Sequence, residues 1–318
     1  MTVLEIVILL LLGLILLFIG TEGLIKGSSA LALRFGISPL VVGLTVVAFG
    51  TSSPELVVSI NSSLEGNGGI ALGNIIGSNI CNIALILGTS ALIKPLIVQA
   101  QVVKREIPIM IAVSILLFIL SLNNEISRLE GLIFFAGIIV YIIISIYLSK
   151  KEKNSEVKKE FEENITKQGG KLWKSVVFVI AGLGLLAVGA KIFVDGAVAA
   201  AERMGVSQVV IGLTIVAIGT SLPELITSVV AAFKNEADIA IGNIVGSNVF
   251  NILSILGVTA IINPVSTSDA GLIDFSLMLL TAILLLPLSW SGYKLSRWEG
   301  GFFFAGYVIY MLYLLKVV

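Results

Sequence analysis

The chain has no histidine and a single cysteine, Cys81, among its 318 residues. Without histidine there is no soft-metal site, no HExxH zinc helix and no Ser/His nucleophile pair. One cysteine excludes an internal disulfide. The GxGD signature of an intramembrane aspartyl protease is absent too. Charge is scarce: 13% charged residues stand against 57% hydrophobic ones, and mean hydropathy is +1.08. That balance excludes an ordinary soluble domain and leaves catalysis few tools. No enzyme activity and no cofactor are expected, and neither a nucleic acid nor an obligatory protein partner is inferred.

What remains is apolar sequence in long runs, the mark of a protein whose partner is the lipid bilayer. A span needs roughly 20 apolar residues, and about ten can be placed: near Val3 to Gly20, Ser38 to Leu64, Gly69 to Ile93, Ile107 to Leu122, Leu129 to Leu148, Val176 to Val194, Ser207 to Phe233, Ile239 to Ile262, Leu272 to Ser289 and Gly300 to Leu315. The first run is too long for a removable signal peptide and is expected to stay as a helix. Sixteen of the 20 basic residues, Lys26 and Arg34 among them, are assigned to one set of loops and three to the other. The excess of positive charge predicts a multi-pass cell-membrane protein with both termini outside and the lysine-rich stretch Lys150 to Lys171 in the cytoplasm. That stretch mixes Lys and Glu with Asn, Ser and Gly, cannot bury a core, and reads as a linker.

Internal repetition organises the rest. GISPLVVGLTVVAFGTSSPE from Gly36 and GVSQVVIGLTIVAIGTSLPE from Gly205 agree at 13 of 20 positions, 169 residues apart. At the same offset IALGNIIGSNICNIALILG from Ile70 matches IAIGNIVGSNVFNILSILG from Ile239 at 13 of 19. The division that follows is a first five-helix repeat at 1–149, a linker at 150–172 and a second repeat at 173–318. Because five is odd, the second repeat enters the membrane from the opposite side. The predicted fold is an all-α integral membrane protein of ten transmembrane helices in two inverted-topology repeats, with broken helices at the midplane, a transporter pattern.

The repeats carry the chemistry. Glu55 and Glu224 are the only acidic residues deep within spans, where a carboxylate costs several kcal/mol and is a functional-site candidate. No basic residue lies near the middle of a span to pair with them, and two facing carboxylates repel unless a cation neutralises them. Pro54 and Pro223 clash with the carbonyls of Gly50 and Gly219, so the helices are expected to open and free the carbonyls from Ala48 to Thr51 and from Ala217 to Thr220. The hydroxyls of Thr51, Ser52, Thr220 and Ser221 lie in the same breaks. Ser78 and Asn82 share one helix face in the next span, as do Ser247 and Asn251. All these ligands are oxygen, which suits a hard cation, and calcium better than magnesium. The glycines of GNIIGS and GNIVGS read as close helix packing. Asn74, Asn79, Asn243 and Asn248 stand between helix bonding and a direct role, and Cys81 reads as packing because its repeat partner is Phe250.

The pair GTSSPE and GTSLPE, each followed by GNI(I/V)GSN and a further Asn, resembles the two alpha repeats of the sodium/calcium exchangers in the cation/calcium antiporter superfamily. The chain lacks the large regulatory loop of animal exchangers and is similar to microbial members. The resemblance implies exchange of sodium for calcium by alternating access. It implies that Glu55 and Glu224 hold calcium with the carbonyls of Thr51 and Thr220. Sodium would be held by the glutamates with Ala48, Ser52, Ser78, Ala217, Ser221 and Ser247, and Asn82 and Asn251 would line the central site. The first and sixth helices would slide past a rigid core. Asn251, where potassium-dependent members carry Asp, favours potassium independence. A proton/calcium or other cation exchanger of the same fold is the alternative; a channel or a scaffold is the reading from another class.

Overall fold

A computed structural model describes residues 1–151, 172–204, 217–267 and 271–317. Twelve helices follow in order: α1 (Val3–Phe35), α2 (Pro39–Thr51), α3 (Ser53–Leu64), α4 (Gly68–Ile93), α5 (Val102–Asn123), α6 (Arg128–Lys151), α7 (Leu172–Arg203), α8 (Ala217–Thr220), α9 (Leu222–Phe233), α10 (Ala237–Ile262), α11 (Leu272–Tyr293) and α12 (Arg297–Val317). Four strands of two residues each punctuate them: β1 (Leu96–Ile97), β2 (Glu125–Ile126), β3 (Val265–Ser266) and β4 (Lys294–Leu295). Seven helices (α1, α4, α5, α6, α7, α10 and α11) are long and apolar enough to cross a membrane, and α2 with α3 adds an eighth as one span bent by 45°. The chain is an all-α, multi-pass membrane protein. Residues 207–216 of the expected span from Ser207 to Phe233, and the lysine-rich linker beyond Lys151, lie outside the described residues.

Burial sorts the helices into a centre and a periphery. Along its most apolar stretch α10 is 89% buried and α4 72%, against 22% for α1 and 28% for α7. The two helices carrying the GNI(I/V)GSN motifs are thus the centre. Leu4, Ile8, Leu11, Ile15 and Phe18 on α1 are exposed, an apolar outer surface that only lipid satisfies. Buried Leu40, Leu44, Ile75, Ile76, Ile244 and Phe250 belong to one cluster that fills the centre around α4 and α10.

Two helices run further than their apolar sequence predicts. The first and sixth spans were expected to end at Gly20 and Val194, yet α1 continues to Phe35 and α7 to Arg203. Packing sustains them. Thr21, Leu24, Ile25, Ser28 and Ala32 lie buried along one face of α1, a helical spacing that leaves Glu22 and Lys26 on the exposed side. The two helices meet backbone to backbone: a Cβ at Gly182 would stand 2.7 Å from the Gly20 carbonyl oxygen, and one at Gly20 would stand 2.8 Å from that of Gly182. Lys26 and Arg34, counted with the loops in the sequence, are therefore helical residues.

Contacts between the halves come in pairs related by the 169-residue offset. β1 pairs antiparallel with β4 and β2 with β3; the register Leu96 to Leu295 becomes Val265 to Ile126 when the offset is applied. Arg128 donates to the Ile262 carbonyl at 3.4 Å, and its counterpart Arg297 donates to that of Ile93 at 3.2 Å. Each half reaches across to close the other.

Candidate cation site

Each break in the GTS(S/L)PE segments is one residue wide. Ser52 (φ −83°, ψ 8°) separates α2 from α3, and Ser221 (φ −89°, ψ 8°) separates α8 from α9. The helices open at the GTS(S/L)PE segments as the sequence suggested, and the prolines do not kink a continuous helix. They occupy the first turn of a new one, where the missing N–H leaves no bond unmade. Glu55 and Glu224 consequently fall in the first turns of α3 and α9, where free N–H groups and the helix dipole favour a negative charge. The freed carbonyls are fewer than expected, because Ser52 N–H still reaches the Ala48 oxygen at 3.0 Å. In the second half Ser221 N–H turns to the Ile218 oxygen at 3.1 Å.

The two breaks interlock. Ser52 Oγ donates to Glu224 Oε1 at 2.8 Å, and Ser221 Oγ donates to Glu55 Oε1 at 3.0 Å. Ser52 Oγ also lies 3.0 Å from Ser247 Oγ, and Ser221 Oγ lies 3.5 Å from Ser78 Oγ. Each carboxylate is thus held by the serine of the opposite half, and both are 1% exposed. They are near enough for their charges to repel. Neither makes an ion pair with Lys or Arg among the described residues. Glu106 supplies the contrast: the structure reveals it as a third fully buried carboxylate, but Arg105 lies 2.7 Å away and Tyr141 Oη donates to it at 2.9 Å. Glu106 has its partners within the chain; Glu55 and Glu224 have no basic partner among the described residues.

The unmatched atoms point the same way. Among the buried side-chain oxygens without a hydrogen-bond partner are Glu55 Oε2, Glu224 Oε2, Asn82 Oδ1 and Asn251 Oδ1, two pairs related by the offset. Leaving such atoms bare costs about 1–3 kcal/mol each, more for a charge. Asn82 is the second residue of the π-helical segment Cys81–Leu87 of α4, and Asn251 is the first of the segment Asn251–Leu256 of α10, a widening common at functional sites. The helix bearing Glu224 packs on the first of these and the helix bearing Glu55 on the second. Among the described residues no three of His, Cys, Asp and Glu cluster as a metal site; two carboxylates with hydroxyl, amide and backbone oxygens make a different, hard-cation donor set.

Of the other expected residues, Thr51 is buried with its hydroxyl 3.0 Å from Asn243 Oδ1, while Thr220 is only half-buried. Ala48 is fully buried. Ala217 begins α8, and its side chain lies outside the description. Asn74 and Asn243 bond neighbouring helices: Asn74 donates to the Glu55 carbonyl at 3.2 Å and to Ser59 Oγ at 3.0 Å, and Asn243 donates to Ser228 Oγ at 3.1 Å. Close packing holds for Gly242 and Gly246, where a Cβ would stand 2.7 Å from the Leu40 and Leu44 oxygens. The counterparts of those leucines, residues 209 and 213, lie outside the described residues. The π segments and the interlocked serines carry no local sequence signal; only the repeat offset hinted that the halves exchange contacts.

Known proteins of similar sequence and shape bear on this geometry. The family model described as sodium/calcium exchanger protein matches residues 5–147 and again 174–316, two stretches at the same 169-residue offset. A putative antiporter, CaxA, of Alkalimonas amylolytica is 39% identical over 282 residues, 88% of each chain. The sodium/calcium exchanger MaX1 of Methanosarcina acetivorans is 33% identical across 98% of each chain. Among solved structures, the sodium-calcium exchanger NCX_Mj superposes with a TM-score of 0.84 at 34% identity, covering 98% of this chain and 100% of its own.

Proposed function

The chain belongs to the sodium/calcium exchanger family, and we propose that it is a secondary active antiporter exchanging sodium ions for calcium across the cell membrane by alternating access. Cation/calcium antiport follows from the family. The sodium coupling is our reading of the site. Calcium binds between Glu55 and Glu224 with the carbonyls of Thr51 and Thr220. Sodium is held by the same glutamates with Ser52, Ser78, Ser221, Ser247 and the backbone at Ala48 and Ala217, and Asn82 and Asn251 line the centre. The single observation that carries this reading is the crossed pair of serine–glutamate bonds, closed around carboxylates that have no basic partner among the described residues. A proton exchanger needs the glutamates alone. Four serine hydroxyls converging on them give sodium its ligands.

Ten helices in two inverted repeats, residues 1–149 and 173–318 with a cytoplasmic linker at 150–172 and both termini outside, complete the proposal. The offset that relates contacts between the halves supports the repeats. Alternating access is supported by a place where that relation breaks. Lys234 pairs with Glu22 of α1 at 2.5 Å, whereas their counterparts, Glu65 and Lys191 of α7, are exposed and make no ion pair among the described residues. Gly50 and Gly219 both lean on α7, against Leu183 and Val194, where exchange of the halves would have one lean on α1. In its strand pairs, its Arg–carbonyl bonds and its serine–glutamate bonds the core obeys the relation, and the α1–α7 pair stands to one side of it, as a body with a second resting place would.

Calcium uptake into proteoliposomes under separate sodium, potassium and proton gradients tests the coupling. Sodium alone is expected to drive it, and Glu55→Gln or Glu224→Gln to abolish it. Uptake driven by a pH gradient without sodium would establish the proton alternative.

A further inference from the structure

Asn79 and Asn248 occupy equivalent places on α4 and α10, three residues before Asn82 and Asn251. Sequence treats the two alike; the structure does not. Asn251 Nδ2 donates to Asn79 Oδ1 at 2.9 Å, and Asn79 Nδ2 reaches the Asn248 backbone oxygen at 3.4 Å. In the other half Asn248 Nδ2 turns back to the Ile244 oxygen of its own helix at 3.0 Å, and both Asn248 Oδ1 and Asn82 Oδ1 are without partners. All four asparagines are 1–2% exposed.

A carboxamide has an accepting end and a donating end, and a half-turn about its last bond exchanges them. Beside a cation the oxygen attracts and the NH2 repels, so the direction of the amide decides whether the residue is a ligand. Asn251 follows Ser247 by one helical turn, and Ser247 Oγ lies 3.0 Å from the serine that holds Glu224. With its NH2 committed to Asn79, Asn251 has its Oδ1 buried and bare in that setting. We infer that Asn79 is a positioning residue for cation binding: it fixes the direction of the Asn251 amide so that oxygen, and not NH2, faces the ion. Asn248 has no such hold on Asn82, so the two central asparagines are unequal, one oriented and one able to turn.

The inference rests on the exchange reading of the site. It is tested by sodium-driven calcium uptake into proteoliposomes at graded calcium. Asn79→Ala is expected to raise the calcium KM about tenfold with kcat within about twofold, the size expected when a fixed ligand is released to turn. Asn248→Ala is expected to shift KM by less than about twofold, since its side chain orients no ligand. In an Asn251→Asp background, whose carboxylate has two equivalent oxygens, Asn79→Ala is expected to lose its effect to within about twofold. If Asn79→Ala does not assemble, Asn79→Ser carries the same expectations, because it keeps a donor for the Asn248 carbonyl but falls short of Asn251. Equal KM shifts with Asn251 and Asp at that position, or no shift with Asn251 in place, would overturn the inference while the exchange reading stands. Absence of sodium-driven uptake by the native chain would remove both.

Discussion

Ser52 and Ser221 do at the residue scale what neither half does alone: each hydroxyl holds the carboxylate of the other half. Alanine at either position removes a charge-assisted bond, which contributes about 1.5–3 kcal/mol, and frees one glutamate to move. Both Ser52→Ala and Ser221→Ala are expected to weaken sodium coupling to a similar extent, read as the sodium concentration needed for half-maximal calcium release from loaded vesicles. An effect from only one of them would mean that the crossed bonds do not act as a pair. Thr51 shows a different dependence. Its hydroxyl meets Asn243 Oδ1, and Asn243 donates in turn to Ser228. The near-isosteric Thr51→Val leaves a buried amide oxygen bare, so a loss of about 1–3 kcal/mol is expected. Thermal unfolding in detergent checks it.

At the scale of elements, the breaks at Ser52 and Ser221 turn a membrane span into a charge-bearing helix start. The GTS(S/L)PE segments announced a break through their prolines, and that much was legible. Its form was not, because a proline in sequence does not say whether it kinks a helix or begins one; the φ and ψ of the preceding serine decide. The continuation of α1 and α7 was hidden for a related reason. Hydropathy ends those spans at Gly20 and Val194, but the glycines beyond let two backbones touch, and that contact holds the helices past their apolar stretch. Gly182→Leu places carbon where a Cβ already stands 2.7 Å from the Gly20 oxygen. Backbone cannot yield as a flexible side chain does, so a loss of about 1–3 kcal/mol or more is expected. The detergent melting temperature should fall, and Gly184→Ala, an exposed position on the same helix where no described residue lies within 4 Å of the added carbon, serves as the comparison.

At the scale of the molecule, a core whose strand pairs and serine–glutamate bonds obey the repeat carries a helix pair that does not. Applying the 169-residue offset to the observed ion pair of Glu22 with Lys234 gives Glu65 with Lys191, two exposed residues that are apart here. Alternating access therefore predicts that the second pair forms as the first opens. With Cys81 replaced by Ala, disulfide trapping at positions 22 and 234, and separately at 65 and 191, is expected to succeed during turnover. Each trap should stop calcium flux until reductant is added. Trapping of the first pair alone, with the second never captured in any ion gradient, would speak against motion of α1 and α7 between two equivalent positions.

By itself the sequence determined the membrane setting, the two halves, the acidic breaks and the oxygen-rich donor set, because hydropathy, repetition and residue chemistry are local or periodic and can be read along a line. Which serine holds which glutamate, which asparagine is oriented, and where α1 and α7 rest against the core were decided only by the tertiary structure. Those are relations between the two halves, between residues more than a hundred positions apart. The two repeats are nearly alike in sequence, so the differences between them, on which a directional cycle depends, arise from packing.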